Sequence, residues 1–313
     1  MSYQILAIIT AYILDLVIGD PQWNWHPVRL IGRLIERLEK RLNFGNINKK
    51  FSGVMLIILV VGITIFCVWG ILRLARLIHP LLYYVCFAIL IYFCLSIKAL
   101  AVEANKVYSA LKKKNIQEAR NNLSMIVGRD TDKLEEAEII KATVETVAES
   151  TMDGIIAPLF YAFLGGPVLV WMYKAINTLD SMVGYKNKRF IEFGKPSARL
   201  DGLLNFIPAK ITCFLISFSS CFYGKDWLSS ARWGTKYFLK GQEDNSIAKE
   251  AAMAGALKIQ LGGINFYNSI PISRPLIGDN FQPVAIKHIR ESIQIAYISS
   301  ALFMVTGIFL LWA

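Results

Sequence analysis

Glu138, Glu145, Glu149 and Asp153 follow one another at intervals of seven, four and four residues. That spacing keeps carboxylates near one face of a helix. Like charges so placed repel, so the stripe needs a cation, a basic partner or water. Carboxylates with nucleotide phosphates commonly hold Mg2+. Gly128-Arg129-Asp130-Thr131 stands just ahead of the stripe. The plainer alternative is a solvated acidic face with intrahelical neighbours such as Lys141.

Three further stretches carry polar groups of interest. Asp15, Gly19-Asp20-Pro21, His26-Pro27-Val28-Arg29 and Gly32 follow the first apolar segment directly. Gly and Pro make a turn there that leaves Asp20, His26 and Arg29 at a membrane surface. His26 could move a proton and Arg29 could hold phosphate or carboxylate, or the turn is an ordinary interfacial one with a snorkelling arginine. The next stretch runs Asn177-Thr178-Leu179-Asp180-Ser181-Met182-Val183-Gly184-Tyr185, then Phe193-Gly194, Ala198-Arg199-Leu200-Asp201, Asn205 and Pro208-Ala209-Lys210. Polar groups entering apolar elements need partners. Lys210 is therefore a functional suspect, with Asp180, Arg199, Asp201 and Asn205 as candidate partners, and a structural salt-bridge network is the alternative. The last stretch, Glu250–Leu257 followed by Gly262-Gly263, is a series of small residues. It suits close helix packing, or the approach of a flat ligand. Walker A, GxGxxG, HExxH and GxSxG motifs are absent, so a nucleotide would bind without a standard P-loop.

These groups must be positioned by an apolar chain. Of 313 residues, 55% are hydrophobic and 18% charged, with a formal charge of +11 and mean hydropathy of +0.44. Such numbers exclude disorder, collagen and a disulfide scaffold. The five cysteines lie in apolar stretches without a CxxC pair, and the three histidines are scattered. Neither pattern suggests a metal cage.

The fold class predicted is all-α, a polytopic membrane protein forming a single domain over 1–313. Tyr3–Ile18, Val54–Leu72, Leu81–Val102 and Ser292–Ala313 read as spans. The first reads as an anchor rather than a signal peptide. Ile155–Tyr173, broken by Pro158 and Gly165-Gly166-Pro167, and Leu203–Tyr223, carrying Lys210, either span or form a buried hairpin. Lys and Arg counts place the polar portions 19–53, 101–154 and 224–291 in the cytosol. Four spans put 29 Lys/Arg there, with 177–202 included, against two outside; six spans divide them 24 to seven, with 177–202 outside. The broken Ile155–Tyr173 segment and Lys210 favour the buried hairpin, so 177–202 is expected in the cytosol as well. Thr131–Met152 and Gly241–Ala256 read as helices, the former capped near Thr131 and Glu135.

Taken in order, these stretches resemble the adenosylcobinamide-phosphate synthase family of multi-pass membrane proteins in cobalamin biosynthesis. The family's LDxxxGDP…HPVRxxG pattern stands at Leu14-Asp15, Gly19–Pro21, His26–Arg29 and Gly32. Its GRDT, VETVAE and DGxxAPLF elements stand at Gly128–Thr131, Val144–Glu149 and Asp153–Phe160. NTLDSMVGY, FG…ARLD…N..PA, EAAMAGAL and LGG follow from Asn177 to Gly263. The chain departs in having Ser150 where the family often has Asn, Gly202 where a second aspartate is common, and Gly241–Lys249 in place of His-Pro and Trp-Pro dipeptides.

The resemblance implies a cell-membrane enzyme with a cytosolic active site. It would join (R)-1-aminopropan-2-ol, or its phosphate, to a propionate carboxylate of adenosylcobyric acid, using ATP and Mg2+. It implies the lipid bilayer as surroundings and no nucleic-acid partner. On this reading Glu145, Glu149, Asp153 and Asp180 hold the metal. Arg129, Asp130, Thr131, Asn177, Asp180, Ser181, Arg199, Asp201 and Asn205 contact the nucleotide or corrinoid. Asp20, His26, Arg29 and Lys210 serve the chemistry, with His26 or Asp20 handling the proton. The alternative of another class is a membrane corrinoid-binding or transport protein without ligase activity.

Overall fold

The computed structural model describes residues 3–21, 23–44, 48–185, 187, 189–238, 242–267 and 269–312. Its helices are α1 (Tyr3–Val17), α2 (Pro27–Leu42), α3 (Lys49–Ile78), α4 (Pro80–Tyr92), α5 (Ile97–Lys112), α6 (Ile116–Ser124) and α7 (Glu136–Thr151). A π-helical turn (Met152–Ile156) leads into α8 (Ala157–Val183), followed by α9 (Lys195–Phe222), α10 (Trp227–Phe238), α11 (Gln242–Leu257), strands β1 (Leu261–Tyr267) and β2 (Ile270–Ile277), and α12 (Lys287–Trp312). Gly241, where the sequence reading starts a helix, lies outside the described residues.

Among the described residues, five helical stretches are long and apolar enough to cross a membrane: Lys49–Ile78, Pro80–Lys112, Glu136–Val183, Lys195–Phe222 and Lys287–Trp312. The chain is an all-α, multi-pass membrane protein. In α3, Ile58, Phe66, Trp69 and Leu74 stay exposed, as lipid contact requires. α1 is apolar too but only 15 residues long, shorter than the expected Tyr3–Ile18 span. The two stretches read as broken or polar, 155–173 and 203–223, lie in long apolar helices, the second up to Phe222.

The chain divides into two compact units. The first comprises 1–96, 157–205 and 306–313. Within it, α8 is broken where the sequence predicts. Gly165 (φ −158°, ψ 23°) and Gly166 (φ 62°, ψ −153°) leave the helical region, and Pro167 has no N–H to give. The carbonyls freed behind the break are not left bare. Gln4 Nε2 donates to Ala162 O at 3.3 Å and to Phe163 O at 3.4 Å. Gly166 is irreplaceable on two counts, since a Cβ there would meet Phe87 Cζ at 2.6 Å as well as a positive φ.

The second unit comprises 97–156 and 206–305. Its core gathers Val144, Val147 and Ala148 of α7 with Ala251, Ala252 and Ala254 of α11 and Ile293 of α12. The small residues of α11 serve packing, the simpler of the two readings. A Cβ on Gly255 would lie 2.5 Å from Ser229 O in the adjacent α10 segment. α7 begins at Glu136 rather than near Thr131, with Glu138 Oε2 accepting from Glu135 N at 2.8 Å. The reason is tertiary. Asp130 N donates to Phe266 O at 2.8 Å, and Asp130 Oδ2 accepts from Ser269 N at 2.7 Å. The 128–131 turn is thus fastened to the β-ribbon and cannot continue a helix.

The antiparallel ribbon itself was not expected. Gly263 pairs with Arg274 and Asn265 with Ile272, with an irregularity between Leu261 and Gly263. Pro271 and Pro275 weaken a strand reading from sequence, because proline is confined to edges and bulges. A two-stranded ribbon offers only edges.

Candidate functional site

The second unit concentrates charge where α7, α11 and the ribbon meet. Glu145, 3% exposed, sits mid-α7 and accepts from Arg129 Nη2. Its Oε1 accepts from Gly262 N at 2.9 Å. The positive φ of Gly262 (82°) and Gly263 (106°) makes the local bulge that turns this N–H onto the carboxylate. Arg129 Nη1 donates to Asn265 Oδ1 at 2.6 Å. Arg274 Nη1 lies 3.9 Å from Glu145 Oε2, and Nη2 donates to both Glu250 oxygens at 3.0 and 3.1 Å. Glu250 and Lys249 are buried beside one another in sequence, and Lys249 Nζ lies 3.7 Å from Met152 Sδ.

The predicted carboxylate stripe is therefore divided in its roles. Glu145 is enclosed and bound to guanidinium groups. Glu149, one turn on, is exposed, and Asp153 in the π-helical turn is half-buried. Among the described residues, no group of three or more His, Cys, Asp or Glu is arranged to hold a metal ion.

Burial pushes the Glu250 carboxyl up to about 7; Arg274 opposes this, while Glu145 and Glu149 add to it. Burial acts against the charge of Arg274, but Glu250 and then Glu145 outweigh it, so its proton is held more firmly than usual. Arg129, with a side chain 9% exposed, is a cross-link between α7 and the ribbon. Arg274, 26% exposed, engages Glu250 through Nη2 alone.

Lys210 also belongs to the second unit. Its ammonium lies 3.9 Å from the Phe206 ring centroid and 4.3 Å from that of Phe238. Two aromatic faces take the place of the carboxylate that sequence reasoning sought. Arg129, Asp130, Thr131, Glu145, Glu149 and Asp153 share this unit.

Asp20, His26, Arg29, Asn177, Asp180, Ser181, Arg199, Asp201 and Asn205 lie in the first unit. His26 is buried and its Nδ1 accepts from Val28 N at 3.3 Å, capping α2. The other nitrogen, Nε2, faces Asp20 Oδ1 at 2.9 Å. A neutral His26 thus carries its proton on Nε2, toward Asp20. Arg29 is exposed on the first turn of α2. Asp201, also buried, accepts from Asn177 Nδ2 at 3.3 Å and from Asn205 Nδ2 at 2.8 Å. Ser181 Oγ donates to Asn177 O at 2.9 Å, Asp180 is half-buried and Arg199 exposed.

Sequence reasoning missed Arg274, Lys249 and Asn265 and gave Glu250 no role. The available sign was Glu250 opening a run of alanines, a carboxylate that close packing must bury. Arg274 gave less, since only ribbon pairing brings it beside Gly263.

The sequence matches the family described as CobD/Cbib protein over residues 8–296. A Geobacter metallireducens protein named cobalamin biosynthesis protein CobD is 45% identical over 290 residues, covering 93% of this chain and 91% of that protein. One of the same name from Clostridium perfringens is 44% identical over 305 residues, covering 97% and 96%. Cobalamin biosynthesis protein CbiB of Salmonella typhimurium is 41% identical over 301 residues, covering 95% and 94%. No solved structure matches. With relatives this similar along nearly their whole length, the chain belongs to the CobD/CbiB family.

Proposed function

We propose that the protein acts in cobalamin biosynthesis as an ATP-dependent amide ligase. It joins (R)-1-aminopropan-2-ol or its phosphate to a propionate carboxylate of adenosylcobyric acid. The observation that carries this reading is Arg274, fixed by Glu250 yet partly exposed, beside the exposed Glu149. Such an arrangement suits a phosphate-bearing substrate better than a neutral one.

Amide formation from a carboxylate requires that one carboxylate oxygen become a leaving group. Phosphoryl transfer from the nucleotide to that oxygen does this. The amine nitrogen then forms the C–N bond, the C–O bond breaks, phosphate departs and a base takes the amine proton. Arg274 is assigned to phosphate oxygens, in a role that Arg129 cannot readily fill while it cross-links Glu145 and Asn265. Mg2+ commonly takes one or two carboxylates beside substrate phosphates. Glu149 and Asp153, one helical turn apart, fit that demand, and the bound metal would offset phosphate charge. Glu145 and Glu250 position the two arginines. In the first unit, Asp180 as a metal contact, Asn177, Ser181, Arg199, Asp201 and Asn205 as ligand contacts and the His26–Asp20 pair as proton acceptor rest on the family resemblance alone.

The test is product formation by purified protein given adenosylcobyric acid, the amine and Mg-ATP. The expected result is a nucleotide-dependent amide adduct, with Glu149→Gln reducing its rate at least roughly tenfold, about 1.4 kcal/mol of barrier. Corrinoid binding without any adduct, with or without nucleotide, would leave a binding or transport protein instead.

A further inference from the structure

Away from the charged network, the second unit contains a cavity of about 410 Å3 lined by Gly224, Lys225, Asp226, Lys258, Gln282 and Lys287, among others. Three lysines line it, and two are fixed. Lys225 Nζ pairs with Glu291 at 2.7 Å, and Lys258 Nζ with Asp226 at 3.1 Å. Lys287, the first residue of α12, is exposed and makes no ion pair among the described residues. Among the described residues, three ammonium groups face two carboxylates, an excess of one positive charge.

The ends of α9 and α11 also border this cavity, and bare helix C-termini would favour a cation. They are capped within the protein. Tyr223, Gly224 and Lys225 N–H groups donate to Ser219, Cys221 and Ser220 carbonyls. Lys258 and Ile259 N–H groups donate to Gly255 and Ala254 carbonyls, and Gln282 Nε2 takes Leu257 O at 2.6 Å. The Asp226 carboxyl is held below its ordinary range, first by the Ser229 N–H, so it stays ionised on Lys258 and fixes that lysine in place.

The surroundings identify the occupant. The cavity is lined by Gly224, two residues past the end of α9, and by Lys287 at the start of α12, two helices apolar enough for a membrane. Phe214, Phe218 and Phe222 form an exposed aromatic row along α9, with ring centroids 5.9 and 5.0 Å apart. Trp227 and Leu228 continue the exposed apolar surface just past it. Basic pockets at the ends of membrane helices, flanked by apolar rows, suit a charged headgroup with its acyl chains.

We propose that the Lys225–Lys258–Lys287 cavity binds a phosphate group, that of an anionic membrane lipid, whose acyl chains lie along Phe214, Phe218 and Phe222. The full-length protein is reconstituted in nanodiscs containing equal phosphatidylglycerol and phosphatidylcholine, then transferred to detergent, and the retained lipid is quantified by mass spectrometry. Wild type is expected to retain phosphatidylglycerol preferentially. Lys287→Gln, a change at an exposed position, should reduce the preference roughly fivefold, and Lys258→Gln combined with it should abolish it. Amide formation by Lys287→Gln in a neutral detergent should match wild type. If millimolar inorganic phosphate displaces the phosphatidylglycerol, the cavity is a phosphate site open to soluble anions. Equal retention of both lipids by wild type, or an unchanged preference in the double variant, overturns the proposal.

Discussion

Arg274 grips Glu250 through Nη2 alone, at 3.0 and 3.1 Å, and its Nε has no hydrogen-bond partner among the described residues. A guanidinium carries five N–H donors in a rigid fork. Here one arm is anchored on α11 while the rest of the fork, partly exposed, keeps donors for a ligand. Lysine offers a point charge that cannot be anchored and bind a phosphate bidentately at once. Arg274→Lys should therefore keep the fold but lower product formation roughly tenfold or more, chiefly through a raised KM for nucleotide. A variant with unchanged KM and turnover would remove Arg274 from phosphate recognition.

Arg129 tests the other half of the network. Its two nitrogens join Glu145 to Asn265, and Glu145 is almost wholly enclosed. Removing one partner of a buried pair leaves a charge without compensation and costs about 3–5 kcal/mol. Arg274 stays 3.9 Å from Glu145, so the loss should fall at the lower end. Arg129→Met should lower the thermal midpoint of the purified protein markedly. Arg129→Met with Glu145→Leu should recover much of the loss. Additive losses in the double variant would mean that the pair is not what secures this turn.

The raised pKa of Glu250 gives a pH signature. Its ordinary value is 4.5, and burial moves it up to about 7. Between those two values the folded protein holds a proton that the unfolded chain releases, so stability falls as pH rises. The contribution is fully present below about 4.5 and lost by the time pH passes 7. Glu250→Gln cannot titrate. Thermal midpoints measured from pH 5 to 8 should decline more steeply in wild type than in Glu250→Gln, and parallel curves would count against a buried, proton-holding Glu250.

Lys210 lies over two aromatic rings instead of pairing with an acid. Lys210 is half-buried, and each cation–π contact is worth about 0.5–1 kcal/mol at such a site, so two of them help seat a lysine without any ligand. Methionine keeps the stem and makes its own sulfur–aromatic contact. Lys210→Met should therefore insert and express normally, and its product formation should drop roughly tenfold if the ammonium meets phosphate. Poor insertion with normal specific activity would assign Lys210 to structure alone.

What was legible in the sequence follows from how local each cause is. Gly165-Gly166-Pro167 announces a break because one residue lacks an N–H and two tolerate unusual backbone. The Glu145 to Asp153 stripe is visible because helical periodicity alone sets it. The partition of that stripe was not visible. Glu145 differs from Glu149 through Arg129, on the turn fastened to the ribbon, and through Gly262 and Arg274 of the ribbon itself, about 120 residues later in the chain. Two prolines hid that ribbon, and with it Arg274. Thr131 misled for the same reason. It has the right chemistry for a cap, but Asp130 ties the turn to Phe266 and Ser269.

The side on which 177–202 lies now has a structural argument. Arg189 Nε donates to Glu39 Oε1 at 3.2 Å and Nη2 to Glu39 Oε2 at 2.7 Å. Glu192 pairs with Lys50 at 3.1 Å, and a Cβ on Gly53 would lie 2.0 Å from Phe193 O. All of these residues belong to the first unit. Segments in contact at both ends of such a patch cannot lie on opposite faces of a bilayer, so 177–202 shares the side of 19–53. The bend at Gly165-Gly166 shows how the chain can return after 157, and Gln4 satisfies the carbonyls that a bend within a membrane would otherwise leave bare. The four-span reading, with 29 Lys/Arg on one side and two on the other, predicts this pairing and puts it in the cytosol. A single cysteine tests it, in a background lacking the native five. Asn187 is a poor position for the probe, because its Oδ1 accepts from Arg189 N and Phe190 N. Tyr185 is exposed and makes no side-chain hydrogen bond among the described residues. Tyr185→Cys should resist an impermeant thiol reagent in intact cells and react once the membrane is permeabilised. Labelling in intact cells would put 177–202 outside and require another route for the nucleotide.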